Sequence, residues 1–281
     1  MVKPFVSSSN SGRKKIALLL ATFFVSDALF CQKYFSGRFE MGSGAGLSNY
    51  HGDLEHGTFL KHFHPSGMLF SRYNLSSYFS WRNQLSYLKA SGSDEGIKAY
   101  SNRNLTFQSD IWELSSTLEF NFQAFGTNVN DETWTPYFYS GLAFFVFDPT
   151  RLENADINLW KLRTEGQNKA YSRLQPSVPI GFGVKTMLNP KRNRGVWILG
   201  VEGCWRKTFT DYLDDVSGLY PDYTAMVNKQ GLASAQYSHA QTLNGQPFKP
   251  AGTMRGDEHF NDWYYFVGFT ASYRFTPLIC R

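Results

Sequence analysis

Hydrophobic and polar side chains alternate along several stretches of the chain. The clearest stretch is DIWELSSTLEFNF at 110–122, in which apolar residues recur at every second position, while Glu113 and Glu119 face the other side. A soluble sheet produces the same alternation, but its strands are usually shorter, at about 5–6 residues. A tilted strand that crosses a membrane needs about 9–11 residues. The length of the pattern therefore favours membrane-crossing strands.

The alternation recurs in VWILGVEGCWRKTF at 196–209 and in DWYYFVGFTASYRF at 262–275. Strand 135–147 is apolar on both faces, so its pattern does not indicate which side faces lipid. The whole chain predicts eight strands, at 36–48, 66–75, 78–90, 107–122, 135–147, 177–188, 196–209 and 262–275.

The connections between these strands differ in length in a regular way. The first, third, fifth and seventh are long, at 49–65, 91–106, 148–176 and 210–261, and the second, fourth and sixth are shorter. Outer-membrane barrels combine long external loops with short periplasmic turns, whereas a soluble β-sandwich has no reason to sort its loops in this way. We therefore predict an all-β fold, an eight-stranded antiparallel transmembrane β-barrel with long external loops, shorter periplasmic turns and both mature termini in the periplasm.

Composition agrees with this interpretation. Phe, Trp and Tyr make up 17% of the residues, yet the mean hydropathy is −0.36. A helical membrane protein needs apolar runs of about 20 residues, and none follows residue 30. A barrel with aromatic belts, whose strands alternate lipid-facing and interior residues, accounts for both the aromatic content and the low mean hydropathy. We therefore expect outer-membrane lipid to surround the protein. The formal charge of +5 includes no basic block, so nucleic acid is not expected as a partner.

The first residues have the pattern of a secretory signal. A basic group at 13–15 precedes the apolar run IALLLATFFV at 16–25, which is too short to span a bilayer as a helix. We predict a signal peptide over 1–31, cleaved between Cys31 and Gln32, and a single outer-membrane barrel domain over 32–281. A lipid-modified Cys31 is the alternative, but Phe30 stands where such a site needs a small residue.

The polar faces of the predicted strands carry charged residues. An eight-stranded barrel is just wide enough for side chains to fill its interior. Because an unpaired buried charge is strongly unfavourable, we predict that these residues pair with one another and that the filled lumen is not a pore. The predicted lumen network consists of Arg38, Glu40, Glu113, Glu119, Glu202, Arg206 and Arg274.

Two groups of residues suggest chemistry. His51, His56, His62 and His64 lie in or beside the first long connection, but a metal site needs ligands on a rigid element, so we expect no metal. GSGAG at 42–46 lacks the Lys-Ser/Thr of a phosphate loop, and we interpret its glycines as relieving crowding inside the barrel. No cofactor is expected.

One arrangement loosely resembles a hydrolase site. His64 and Ser66, with Asp53 or Glu55, echo the His, Ser and carboxylate of barrels that modify lipids. A single short spacing is little evidence, and we predict no catalytic residues and no enzyme activity.

The mature chain keeps two cysteines. Cys204 is expected in mid-strand facing the lumen, and Cys280 lies past the periplasmic end of the last strand, so we predict no intramolecular disulfide. Cys280 is available to pair with another periplasmic protein.

Several segments together resemble one protein family. They are GLSNYHGDL at 46–54, RNLTFQSDIWELSSTLEFNF at 103–122, TPYFYSGLAFFVFDP at 135–149, TEGQ at 164–167, WRKTFTDYLDDVSGLY at 205–220 and NDWYYFVGFTASYRF at 261–275. The chain resembles the PorG-like outer-membrane barrels that accompany the type IX secretion system. The motifs cover nearly the whole mature chain in the same order, and RKTFTDYLDDVS is the most specific of them.

The resemblance implies a function in assembly. A PorG-like barrel associates with a periplasmic ring formed by the PorK lipoprotein and PorN, and tethers that ring to the outer membrane. No catalytic residues or cofactor come with the family. On this interpretation the partner surface is periplasmic, in the turns 123–134 and 189–195 and the C-terminal tail. Its candidate residues are Asp131, Glu132, Lys191, Arg192, Arg194 and Cys280.

A second function class stays open. A surface-binding or adhesion barrel would act through its external loops, chiefly 210–261. That segment places Tyr212, Tyr220, Tyr223 and Tyr237 among polar residues.

Overall fold

Eight antiparallel strands form a closed barrel in the computed structural model, which describes residues 38–54, 63–94, 103–126, 131–188 and 195–275. The predicted signal peptide lies outside these residues. A short additional strand, β6, pairs only with the end of β5. The strands are β1 (Phe39–His51), β2 (His64–Asn74), β3 (Phe79–Ser93), β4 (Thr106–Asn121), β5 (Trp134–Arg151), β6 (Asn154–Asn158), β7 (Leu174–Leu188), β8 (Val196–Thr208) and β9 (Trp263–Arg274).

The first and last strands close the barrel. β1 pairs with β9 from Glu40 opposite Arg274 to His51 opposite Trp263, and each other barrel strand pairs with its neighbours along the chain. The predicted all-β fold with eight antiparallel barrel strands is thus confirmed, and the predicted bounds differ from the observed ones by at most four residues. The largest difference is at β5, which extends to Arg151 because β4 pairs with it as far as Thr150 and β6 pairs with Thr150 and Arg151.

Short helices occur in two of the connections. They are α1 (Leu159–Leu162), α2 (Tyr223–Gln230), α3 (Leu232–Ser238) and a 3₁₀ helix at Ala240–Asn244. Asp222 caps α2 by accepting a hydrogen bond from the Ala225 N–H at 2.7 Å. None of the described helices is long and apolar enough to cross a membrane. The sequence pattern did not predict these helices, because their few apolar residues follow no clear helical period.

The two ends of the barrel carry different connections. At the end where β1 begins and β9 finishes lie the connections 75–78, 122–133 and 189–195. At the opposite end, the long-loop end, lie 52–63, 94–105, 152–173 and 209–262. The contrast in length is smaller than predicted, since 122–133 is as long as 52–63 and 94–105. The strands extend further into the loops than the pattern indicated, which shortens the first two long connections.

Side chains alternate between the interior and the outside of the barrel. Along β5, which the sequence left unassigned, Tyr137, Phe145 and Phe147 are buried in the interior, whereas Leu142 is 68% exposed and Phe144 59% exposed on the outer surface. Outward Trp81, Trp134 and Trp197 lie towards the short-turn end, and Tyr87, Trp112 and Trp205 towards the long-loop end. An apolar band between two aromatic belts is the surface by which barrels face lipid.

The wall of β1 approaches its neighbours closely. A Cβ atom at Gly46 would lie 2.2 Å from the Val267 carbonyl oxygen and 2.5 Å from the Gly268 Cα. Only glycine fits this position. The alternating glycines at 42–46 therefore lie in a strand of the barrel wall, where they relieve crowding between neighbouring strands, in agreement with our interpretation of the sequence.

Candidate functional site

A network of ion pairs fills the barrel interior towards the short-turn end. The Arg72 guanidinium bridges two carboxylates, with Nη1 2.7 Å from Glu40 Oε2 and Nε 3.1 Å from Glu119 Oε2. Glu119 also pairs with the Lys185 ammonium, and Glu40 with Arg274 at 2.8 Å. Every one of these side chains is buried, so the charges neutralise one another away from solvent.

A second pair lies deeper in the interior. Arg82 meets Glu202 with both terminal nitrogens, at 2.8 and 2.9 Å. The hydroxyls of Tyr137 and Tyr139 donate to the same carboxylate, at 2.5 and 3.1 Å. Such a bidentate pair with added donors satisfies the Glu202 carboxylate and both terminal nitrogens of Arg82, while Arg82 Nε has no hydrogen-bond partner among the described residues.

A third pair marks the border with an apolar layer. Arg206 Nε lies 3.3 Å from Glu113 Oε2, which also accepts a hydrogen bond from the Tyr264 hydroxyl at 2.7 Å. Beyond it, apolar side chains form one cluster with residues of the long connections, and the same half of the interior also buries Ser48, Ser109 and Thr208. The cluster includes Tyr50, Phe107, Phe145, Phe147, Phe266, Leu54, Leu105, Leu159, Leu213, Val216 and Ala240.

The structure places six of the seven predicted lumen residues inside the barrel: Glu40, Glu113, Glu119, Glu202, Arg206 and Arg274. Arg38 does not join them, and its predicted position was wrong. It is exposed just before β1 begins, and its backbone carbonyl accepts a hydrogen bond from the Asn74 N–H at 2.8 Å. The strand starts three residues later than predicted, so Arg38 lies outside the barrel wall.

The sequence prediction missed three cations of the network, namely Arg72, Arg82 and Lys185. The imbalance of charge among the predicted lumen residues was the signal that could have revealed these cations. Four predicted inward carboxylates faced three predicted cations, and a closed lumen demands compensation for each charge. Arg82 alternates with the outward Trp81, so the same period of two assigns it to the interior.

Phe125 plugs the short-turn end. This residue of the 122–133 connection is 1% exposed. Its ring lies 5.1 Å from Lys185 Nζ and 5.5 Å from the centre of the Arg274 guanidinium, and Arg274 also donates to the Gly126 carbonyl. The connection therefore folds back into the barrel mouth and adds cation–π contacts to the ion network.

The long connections form a folded cap over the opposite mouth. We define the cap as residues 152–173 and 209–262. Arg255 joins its two parts, with Nη1 3.0 Å from Glu165 Oε1 and Nη2 3.7 Å from Asp215 Oδ2. Tyr171 and Tyr212 stack at 4.7 Å. Burial raises the pKa of the Asp215 carboxyl to about 6 although Arg255 opposes the shift.

The residues that suggested other chemistry are dispersed. His64 Nε2 lies 2.7 Å from the Ser91 hydroxyl, while Ser66 bonds to Ser48. His56, His62 and Glu55 lie outside the described residues. In the described part of the chain, no group of three or more His, Cys, Asp or Glu side chains is arranged to hold a metal ion. Cys204 is a buried free thiol that packs with Tyr137 and Tyr139, and Cys280 lies outside the described residues.

Part of the candidate partner surface is described. Asp131 accepts a hydrogen bond from the Ser77 hydroxyl at 2.6 Å, which joins the 122–133 and 75–78 connections. Ser77 also accepts the Phe125 N–H at 3.0 Å through its carbonyl. Glu132 is exposed beside them. Lys191, Arg192, Arg194 and Cys280 lie outside the described residues, so only the two acidic members of the predicted set are located.

Comparisons with known proteins bear on this geometry. A family model described as "Domain of unknown function (DUF6089)" matches residues 17–237. A search of curated proteins found no match.

Several solved structures are similar to the chain. OprG of Pseudomonas aeruginosa is 10% identical, with 85% of this chain and 97% of that chain covered and a TM-score of 0.42. Neisserial surface protein A is 7% identical, with 85% of this chain and 98% of that chain covered and a TM-score of 0.39. Ail of Yersinia pestis, solved with the heparin analogue sucrose octasulfate, is 12% identical, with 85% of this chain and 99% of that chain covered and a TM-score of 0.38. Because these TM-scores lie below 0.5, the likeness supports no conclusion about function.

Proposed function

The chain belongs to the DUF6089 family, and we propose that it is a non-enzymatic barrel of the bacterial outer membrane that anchors or assembles the periplasmic ring of the type IX secretion machinery. Its partners on this proposal are a PorK-like ring lipoprotein and a PorN-like companion. The finer assignment is supported by the resemblance of the 46–54, 103–122 and 205–220 motifs to PorG-like barrels.

The membrane location is supported by the outer surface of the barrel. Apolar side chains such as Leu142, Phe144 and Phe269 are 59–71% exposed there. In water a surface of this kind would drive aggregation, whereas lipid covers it without cost. An outer-membrane barrel is the arrangement that uses it.

The sealed interior is the observation that favours an anchor over a channel. Phe125 fills the short-turn mouth, buried ion pairs fill the middle, and an apolar cluster continuous with the cap fills the other half. Within the described residues, a barrel filled in this way offers no path for a solute. We therefore favour a function in which its outward-facing ends bind a partner while the membrane holds the barrel in place.

We assign the partner surface to the joined connections 75–78 and 122–133. Asp131 and Ser77 hold the two together, and the exposed Glu132, Leu75 and Tyr78 lie on the same end of the barrel. An acidic and apolar face suits a partner that presents basic and apolar side chains.

A mild-detergent pull-down with mass spectrometry tests this function. We expect the tagged protein to recover PorK-like and PorN-like proteins, and the Glu132→Lys variant to lose most of them through charge reversal. Glu258→Lys is the matched control, because Glu258 is exposed in the cap at the opposite end. Recovery of no ring protein from cells with intact secretion would reject the proposal.

Orientation has its own test. In a Cys280→Ser background, we expect a membrane-impermeant maleimide to label Glu258→Cys in intact cells and Glu132→Cys only after lysis. The reverse result would place the cap in the periplasm and remove the assigned partner surface.

The cap favours one alternative, a surface-binding or adhesion barrel that acts through its long loops. Met254 and Phe260 of the cap are 69% and 75% exposed, and Leu219 pairs with Met254 through an isolated bridge. Exposed apolar residues of this kind often contact a partner. Replacing Met254 and Phe260 by serine separates the two functions, since surface binding would be lost while ring recovery would persist.

A further inference from the structure

Buried acidic side chains meet at the base of the cap. Asp211 and Asp214 follow β8, and Asp262 directly precedes β9, so the three come from both ends of the 209–262 connection. They are 8%, 1% and 1% exposed. Asp53, from the 52–63 connection, accepts the Asp257 N–H at 2.9 Å and adds a fourth carboxyl group to the same region.

Asp214 holds the cap to the barrel rim, and Asp262 joins the two ends of the 209–262 connection. The hydroxyl of Tyr50, near the end of β1, donates to Asp214 Oδ2 and accepts the Leu54 N–H at 2.9 Å. Asp262 Oδ2 accepts the Leu213 N–H at 2.9 Å and so ties the two ends of the long connection together. The cap position therefore depends on Asp214 and Asp262.

Several oxygens of this cluster have no hydrogen-bond partner. Both carboxyl oxygens of Asp211 and Oδ1 of Asp262 are buried and unpaired among the described residues. Asp262 Oδ1 lies next to the Tyr50 hydroxyl, since both would crowd a Cβ at Gly52, at 2.1 and 2.5 Å. An ionised carboxylate in such a position would lack the donors that it needs.

The nearby cations are engaged elsewhere. Arg103 Nη2 lies 2.7 Å from Asp94 Oδ1, and Arg255 pairs with Glu165 and Asp215. Within the described ranges, Asp211, Asp214 and Asp262 form no ion pair. The charge of Arg103 acts on Asp214 from a distance. Facing carboxyl groups without a cation cannot all ionise while they stay buried.

The burial and mutual proximity of these carboxyl groups raise their pKa values. Burial raises the pKa of the Asp211 carboxyl to about 7, the nearby Ser217 hydroxyl opposes this increase, and Asp53, Glu165 and Asp257 add to it. Burial and the neighbouring carboxyl groups hold the pKa values of Asp214 and Asp262 well above their usual range, although the Tyr50 and Leu213 hydrogen bonds act in the opposite direction. All three therefore favour the protonated form in the closed cap.

We propose that Asp211, Asp214 and Asp262 form a proton-operated latch, which holds the cap on the barrel when these carboxyl groups are protonated and releases it when they ionise. The pKa of each group is higher in the folded cap than in an opened one. The latch is therefore complete below about pH 4, the ordinary value for Asp, and weakens as pH rises through the folded pKa values, of which that of Asp211 is about 7. This inference does not depend on the proposed partner.

Hydrogen–deuterium exchange of the full-length protein in detergent micelles tests the latch. Between about pH 5.5 and about pH 8.5, after correction for intrinsic exchange rates, we expect peptides covering 209–217 and 255–262 to lose protection by about tenfold or more. Peptides from β4 should keep theirs. Equal protection of the cap peptides at both pH values would overturn the proposal.

An amide variant makes the test specific. Asn resembles a protonated Asp in shape and charge, so the double variant Asp211→Asn/Asp262→Asn should keep a protected cap at both pH values. Asp156→Asn, on the exposed strand β6, is the matched control and should behave as wild type. Loss of protection with rising pH in the double variant would contradict the latch.

A measurement on the wild type alone covers the case in which the double variant fails to fold. In the wild type, we expect cap protection to fall along a titration curve as pH rises from about 5.5 to about 8.5. A fall that occurs equally in the β4 peptides, or no fall across this range, would show that the three carboxyl groups do not control the cap.

Discussion

The Lys185 ammonium lies 5.1 Å from the centre of the Phe125 ring, which brings a residue of the 122–133 connection against a side chain of β7 inside the barrel. The same ammonium pairs with Glu119 of β4. The plug and the ion network are therefore one structure, and disturbing either is expected to weaken the short-turn end.

Removing the plug should cost stability. Phe125→Ala leaves a cavity beside Lys185 and Arg274, and we expect the free energy of unfolding to fall by about 3–5 kcal/mol. Phe122→Ala is the matched control, because Phe122 is 57% exposed and contacts Phe120 on the outer surface. It should cost about 1 kcal/mol. Urea titration of the barrel in detergent measures both, and equal effects would show that Phe125 is not a plug.

Breaking the central ion pair should be as damaging. Glu202→Gln leaves the Arg82 guanidinium buried with only Glu119 nearby, at 4.0 Å. Because an uncompensated buried charge remains, we expect a loss of about 3 kcal/mol in unfolding free energy. Glu258→Gln removes an exposed carboxylate and should change it by about 0.5 kcal/mol or less. A stability of Glu202→Gln equal to that of the control would contradict the paired network.

Barrel closure should depend on Gly46. A methyl group there meets backbone atoms of Val267 and Gly268, so Gly46→Ala must push β1 and β9 apart. We expect a loss of about 3 kcal/mol and a lower folded fraction, measured by the heat-modifiable shift on gels. Gly67→Ala is the control, since its nearest neighbour, the Gly44 carbonyl oxygen, would lie 3.5 Å from the new Cβ. It should fold normally.

His239 should make the cap sensitive to acid. Burial and the charge of Arg255 lower the pKa of this imidazole to about 4, while its ring stacks on Tyr220 at 5.0 Å. Because the folded pKa lies below the ordinary value of about 6.5, its contribution to stability is present above that pH and is lost as pH falls towards 4.

Exchange of cap peptides at about pH 6.5 and about pH 4.5 measures this effect. His239→Phe should keep more protection than the wild type at the lower pH. His259→Phe is the control, because the His259 side chain is 78% exposed. If both variants respond to acid like the wild type, His239 is not the titrating group.

Local sequence determined the strands and the faces of their side chains. An extended strand turns alternate residues to opposite sides whatever surrounds it, so the alternation at 110–122 already separated Trp112 from Glu113. For the same reason the interior positions of Glu40, Glu202 and Arg274 followed from their place in a strand. The position of Arg38 did not, since a strand end depends on where pairing stops.

Tertiary structure decided which residues meet. Arg82 and Glu202 are 120 positions apart, and their contact exists only because the barrel closes. The plug by Phe125 and the meeting of Asp214 with Asp262 at the base of the cap depend on how irregular connections pack, and no periodicity encodes that. The sequence by itself therefore determined the barrel and its two surfaces, whereas long-range closure and loop packing decided the pairs, the plug and the latch.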